Sequence, residues 1–153
     1  MAKILVLSDT HWNDAQQFNR RLEGLCLGVD LILHAGDAVD SFVHEKLRQW
    51  APVQAVLGNC DRPHLRSVCQ ESIEFEFEGV HFGMFHGHRA NLMLPDHIVS
   101  FFSPKTQFII HGHSHIAVDY LLDRNTHRTR AAEHDEPFPC DGQVRIFNPG
   151  SFS

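Results

Sequence analysis

Several large classes of protein are excluded by what this sequence does not contain. No apolar run approaches the roughly 20 residues that would cross a bilayer as a helix. Near the N-terminus only Ile4 to Leu7 is continuously apolar and no small-residue cleavage site follows, so "MAKILVLSDTH" reads as the start of a strand and not as a leader. The four cysteines, Cys26, Cys60, Cys69 and Cys140, form no C-x-x-C pair, which speaks against a zinc ribbon and against a disulfide framework. A reducing cytoplasm is the expected setting, with no membrane association. Basic residues are in deficit, 13 Lys and Arg against 19 Asp and Glu, and the resulting net charge of −6 provides no field for a polyphosphate backbone. Stable nucleic-acid binding is therefore not expected. Nothing repeats at a solenoid period, and no low-complexity tract or linker divides the chain, so residues 1–153 are expected to form one domain.

What the chain has in quantity is histidine, 13 in 153 residues, and the histidines sit in a pattern. Five apolar runs each end in a polar knot: "KILVL" in "SDTH", "DLIL" in "HAGDAVD", "VQAVL" in "GNCD", "VHFGMF" in "HGH" and "QFII" in "HGHSH". Between them, Phe18, Leu22 and Leu25 recur at helical spacing, as do Val43, Leu47 and Trp50 behind Asp40 and Ser41 as possible caps. Pro95, Ile98, Phe101 and Phe102 predict a short third helix ending before Pro104. Continuous apolar strands alternating with amphipathic helices indicate an α/β sheet covered on both faces. "IEFEFEGVHFGMF" departs from this, since Ile73, Phe75 and Phe77 alternate with Glu74, Glu76 and Glu78 before Gly79, which reads as an antiparallel hairpin with one wet face. "IAVDYLL" and "QVRIFNPGS" read as further strands. The segment 123–141 between them has few apolar side chains and is expected to be a long loop, with a lid or partner-binding role as the alternative.

In an open α/β sheet, ligands collect at the carboxyl ends of the strands. Seven donors would meet there: Asp9, His11, Asp37, Asn59, His86, His113 and His115. Carboxylate, carboxamide and imidazole without thiolate suit manganese, iron, nickel or zinc, and seven donors exceed the needs of one tetrahedral ion. Two ions sharing one carboxylate fit the count.

The order "DTH", "GDAVD", "GNCD", "HGH", "GHSH" and a final "NPGS", running from residue 3 to 151, resembles that of the calcineurin-like metallophosphoesterases. Short length and the cysteine in "GNCD" resemble their small prokaryotic phosphodiesterase branch, to which a non-catalytic retromer scaffold subunit is related. The resemblance implies a four-layer α/β/β/α sandwich of two mixed sheets. It also implies two divalent ions, manganese foremost, with nickel, iron, cobalt or zinc as alternatives. Asp9, His11, Asp37 and His115 would hold the first, and Asp37, Asn59, His86 and His113 the second, with Asp37 bridging. Such a pair lowers the pKa of a bridging water, and the hydroxide attacks phosphorus in line, with no protein nucleophile. Ser8 and Ser114 are then not catalytic, and Ser8 is expected to brace the first loop.

Asn59, Cys60, His86 and His88 are the residues implied nearest the reacting phosphate. Cys60 stands where many relatives carry a histidine held by the last Asp of G-D-x-x-D, here Asp40. A thiol is a weak, uncharged donor, which favours diesters or activated esters over monoesters. The expected substrate is thus a small or exposed phosphodiester, with a phosphomonoesterase and a protein-binding scaffold as rival readings. The scaffold branch has lost ligand positions that are all filled here. The oligomeric state stays open. Outside the ligand set, His34 is expected to be buried and hydrogen-bonded, His44 solvated, His64 a turn residue, and His111 a packing or bracing group, while His88 could face phosphate or support the fold.

Overall fold

Strand β2 (Leu31–His34) is buried along its whole length, and its alternate side chains enter two different cores. That double burial sets the architecture. The computed structural model describes all residues except 1, 15–16, 18–19, 91–93, 134–135, 137–138 and 140. Around β2 run β1 (Ile4–Leu7) and β3 (Val53–Ala55), both parallel to it, in the order β1-β2-β3. One face of this sheet packs Leu7, Ile32 and Leu5 against α1 (Arg20–Cys26) and α2 (Ser41–Leu47) through Leu22, Cys26, Val43 and Leu47. On the other face Leu31 and Leu33 meet a second sheet through Phe82, Met84 and Ile110.

The second sheet holds six strands: β4 (Ser72–Phe77), β5 (Val80–Phe85), β6 (Phe108–Ile110), β7 (Val118–Asp123), β8 (Thr129–Ala131) and β9 (Gln143–Asn148), in the order β4-β5-β6-β9-β7-β8. Its pairs β5-β6 and β6-β9 are parallel and the others antiparallel. Its outer face, with Phe85, Ile109, Val144 and Ile146, is covered by Ile98 of α3 (Pro95–Val99) and by Phe102. The layers are therefore α/β/β/α as expected, one sheet being parallel through its named strands and the other mixed. Among the described residues no helix is long and apolar enough to cross a membrane.

Local chemistry accounts for most of the elements. Asp40 caps α2, its carboxylate accepting from Ser41 N at 2.7 Å. The β4-β5 hairpin pairs Phe75 with Phe82, whose rings stack with centroids 5.3 Å apart, and leaves Glu74, Glu76 and Glu78 exposed as the alternation predicts.

Some expectations need correction. α1 buries Leu22 and Cys26, spaced by four, while Leu25 is exposed; Phe18 lies outside the described residues. α2 ends at Leu47, so Trp50 belongs to the following turn. His44 is not solvated: it shares the inner face of α2 with Val43 and Leu47 and is buried with them. The segment 123–141 carries a strand, since Asp123 Oδ1 accepts from Asn125 N and Thr126 N to turn the chain into β8, which pairs with β7. All three residues of β8 are exposed, so no apolar alternation announces it.

Candidate metal centre

The carboxyl ends of β1, β2, β3, β5 and β6 open onto one rim, and the backbone there is unusual. Asp9, His11, Asp37, His113 and His115 all have positive φ, from 49° to 69°, a region that costs energy for residues with a Cβ. Hydrogen bonds between the loops hold it: Asp9 N donates to Gly36 O at 3.0 Å, His11 N to Asp37 O at 3.1 Å and Gly112 N to His86 O at 3.0 Å. Glycine is required where the loops touch. A Cβ at Gly58 would lie 2.0 Å from Asp37 Oδ1, and one at Gly112 would lie 1.9 Å from Ser8 Oγ and 2.8 Å from Asp9 Oδ2.

Asp9 is buried, with one oxygen committed and one free. Its Oδ2 accepts from Ser8 Oγ and, at 3.0 Å, from His113 N, so Ser8 braces this loop as expected. Its Oδ1 has no hydrogen-bond partner and faces His115 Nε2 at 3.2 Å, His86 Nε2 at 3.8 Å and His11 Nε2 at 3.9 Å. Asp37 repeats the plan: Oδ1 accepts from Cys60 N at 2.8 Å, and Oδ2 faces His86 Nε2 at 3.2 Å and His11 Nε2 at 3.7 Å. Burial opposes ionisation of Asp37, but the adjacent His86 ring and the Cys60 N–H outweigh it and hold the carboxyl far below the usual range. His86 sits 2.7 Å from the Ala35 carbonyl through Nδ1, an arrangement in which Nδ1–H donates and Nε2 is turned toward the space between the carboxylates. Burial lowers its pKa and Asp37 raises it, with a net rise.

Asp9 Oδ1, His11 Nε2 and His86 Nε2 are thus buried, unpartnered and turned toward one another. Buried polar atoms are ordinarily paired, and three unpaired ones converging from the ends of β1 and β5 fit cations that would take up their lone pairs. The donors fall into overlapping sets within 4.8 Å of one another: Asp9, His11 and His115; Asp9, Asp37 and His86; and His11, Asp37 and Cys60.

Five of the seven expected donors are therefore brought together. His113 stands beside them, its ring 5.2 Å from that of His86 and 6.4 Å from that of His88. Asn59 directs its Nδ2 to Cys60 Sγ at 3.3 Å. Cys60 is exposed at the rim, and partial desolvation of its sulfur together with the Asp37 carboxylate pushes its pKa up to about 11. His88 has a buried Nδ1 without a partner, and desolvation and the nearby His86 lower its pKa. Asp40 does not serve position 60; it pairs with Arg62 and, at 3.3 Å, with His64.

Two residues escaped the sequence reading. Asp61, the last residue of "GNCD", is buried and accepts from Val39 N (2.6 Å), Gly58 N (2.7 Å) and Asp37 N (3.2 Å), tying the loops after β2 and β3 into one piece. Asn148 opens "NPGS" and donates through Nδ2 to Gly112 O (3.0 Å) and Ser114 Oγ (3.1 Å), while Ser151 Oγ reaches Asp9 O at 2.9 Å. Both lay inside motifs, which was the available signal.

Comparison with known proteins agrees with this geometry. Residues 2–153 match the family model described as the calcineurin-like phosphoesterase superfamily domain. A protein of Mycoplasma pneumoniae named a probable metallophosphoesterase is 33% identical, the alignment covering 99% of this chain and 79% of that one. The fold is similar to Chaetomium thermophilum Vps29, with TM-score 0.72 at 17% identity over 97% of this chain and 72% of that one. It is also similar to an archaeal protein characterised as a phosphodiesterase, with TM-score 0.62 at 24% identity over 97% and 83% of the two chains.

Proposed function

The chain belongs to the calcineurin-like phosphoesterase superfamily, and we propose that within it the protein is a phosphodiesterase working with two divalent cations held at the rim. The observation that carries this is the convergence of Asp9 Oδ1, His11 Nε2 and His86 Nε2, buried and without partners. Asp9, His11, Asp37 and His115 would hold one cation and Asp37, Asn59, His86 and His113 the other, manganese being the first choice for a set of hard oxygen and imidazole donors. When bound, the two cations supply Lewis-acid charge on the phosphate oxygens and lower the pKa of a water.

The chain's own residues do the rest. Ser8 Oγ and His113 N–H orient Asp9, the Cys60 N–H orients Asp37, and the Ala35 carbonyl fixes the His86 ring, so the donors are set before any ligand arrives. Asp61 keeps the Asp37 and Gly58 loops in register. His88 borders the donors beside His86 and His113, in position to face a phosphate.

The preference for diesters rests on Cys60. Its thiol is neutral and a poor proton donor, so it adds neither positive charge for a dianionic monoester nor an effective acid for a poor leaving group. The structural likeness to an archaeal phosphodiesterase supports the same reading. Elemental analysis of the purified protein, run beside chromogenic mono- and diesters with manganese, nickel, cobalt and zinc, tests the whole scheme. Two equivalents of metal and faster diester turnover are expected; metal-loaded protein inert toward every diester would overturn it in favour of a scaffold. Cys60→His should raise monoester relative to diester turnover, and an unchanged ratio removes Cys60 as the source of the preference.

A further inference from the structure

The loop that carries Asp37 is left-handed at three of four consecutive residues, Gly36, Asp37 and Val39, with φ of 90°, 57° and 79°. Glycine takes this conformation freely and aspartate tolerates it, but Val39 is β-branched, and a Cβ there crowds the following carbonyl oxygen. Such a residue persists only where its surroundings over-determine it. Packing of its side chain does not supply that hold, because Val39 is half-buried and stands outside the three core clusters.

The hold comes from the loop after β3. Val39 N donates to Asp61 Oδ1 at 2.6 Å, and Val39 O accepts from Arg62 N at 3.1 Å, so two successive residues of that loop grip both backbone polar groups of the strained residue. The other carboxylate oxygen, Asp61 Oδ2, accepts from Asp37 N at 3.2 Å and from Gly58 N at 2.7 Å. The N–H groups of residues 37 and 39 thus converge on one buried carboxylate, as turn backbones converge on a bound anion, but here the chain itself supplies the anion. Asp37, between the gripped peptides, is left with Oδ1 on the Cys60 N–H and Oδ2 toward His86 and His11.

We infer that Asp61 is a positioning residue, a clamp that holds the strained Val39 backbone and thereby aims Asp37 Oδ2 at the other donors. The clamp stands on its own, and only its consequence for cations rests on the proposed metal centre.

The clamp can be tested without metal. Both carboxylate oxygens are in use, and an amide can accept through only one of its two atoms. In chelator-treated protein, Asp61→Asn should therefore speed hydrogen exchange at the Asp37, Val39 and Gly58 amides by about tenfold or more, while Ile32 in β2 keeps its rate. Unchanged exchange at those three amides would overturn the proposal. Manganese, titrated against a competing chelator, should bind Asp61→Asn about 10- to 100-fold more weakly than wild type. Val39→Gly removes the strain and reads its part: alone it should bind manganese within about threefold of wild type, and in its background the loss caused by Asp61→Asn should shrink to about threefold or less. An equal loss in both backgrounds would mean that no strain is being held, and the clamp fails. Should Asp61→Asn not fold, the double variant should fold and bind manganese; if it too stays unfolded, the proposal is overturned. Wild-type protein that takes up no manganese, while exchange responds as stated, would discard the metal centre and keep the clamp.

Discussion

Histidines gather both at the rim and beneath α2, and only the rim group is built around carboxylates. At the rim, His11, His86 and His115 face Asp9 and Asp37 across 3.2 to 3.9 Å, and His86 gains proton affinity in spite of its burial. Behind the first sheet, His34 and His44 pack edge to face, with centroids 5.5 Å apart, beneath α2. Thr10 Oγ1 lies 3.2 Å from His34 Nε2, and Cys69 Sγ 4.0 Å from His44 Nδ1. Burial, reinforced by repulsion from other imidazoles, holds His34 well below its usual value of 6.5, and burial also lowers His44 despite the opposing charge of Asp61. Both clusters contain ring nitrogens without partners. Imidazole alone makes a packed, neutral interior, whereas imidazole with ionised carboxylate makes a place for a cation.

The strongest way to break this contrast is to remove the acid. Asp37→Asn keeps the shape and deletes the charge shared by His11 and His86, so metal content should fall and phosphoester turnover should drop by more than about 100-fold, since even supporting groups around metal sites cost 10- to 100-fold. Metal analysis and steady-state rates read this directly, and retention of both metals would mean that the imidazoles suffice. Gly112→Ala attacks the same cluster through its backbone. Its Cβ would meet Ser8 Oγ and Asp9 Oδ2, so a loss of about 1–3 kcal/mol in urea unfolding, together with reduced metal uptake, is expected.

The second cluster should announce itself through pH. His34 has a folded pKa below its unfolded one, so at acid pH the unfolded chain binds the proton that the folded chain refuses. Stability is therefore complete above pH 6.5 and falls below it, by about 1.4 kcal/mol per pH unit for each such histidine. Chelator-treated protein unfolded at pH 7.5, 6 and 5 should show this slope, and His34→Asn should flatten it. The smallest effect is expected for His44→Leu. It deletes a buried Nε2 that has no partner, so stability should stay within about 1 kcal/mol of wild type and metal content should not change. A loss of bound metal in that variant would erase the distinction between the two clusters.

Much of the architecture was legible in the sequence because burial leaves a periodic trace. Continuous apolar runs marked β1 and β2, alternation marked β4, and the polar knots marked the strand ends that form the rim. Where burial leaves no trace, reading failed: β8 is exposed at every position, and His44, a polar residue, lies on the buried face of α2. The rim was legible as a list of residue types, but Asp61 and Asn148 act through backbone hydrogen bonds that carry no spacing rule.

Sequence order by itself determined which donors each strand end would offer, since a carboxylate or imidazole placed just after an apolar run must emerge at the sheet's edge. Only the tertiary structure decided which of those donors face each other, that Asp40 would pair with Arg62 and His64, and that His34 and His44 would be sealed under a helix. The reason is one of range. Strand periodicity is a property of neighbours in the chain, while the distance between Asp9 and His115 depends on how two sheets are stacked across a shared core.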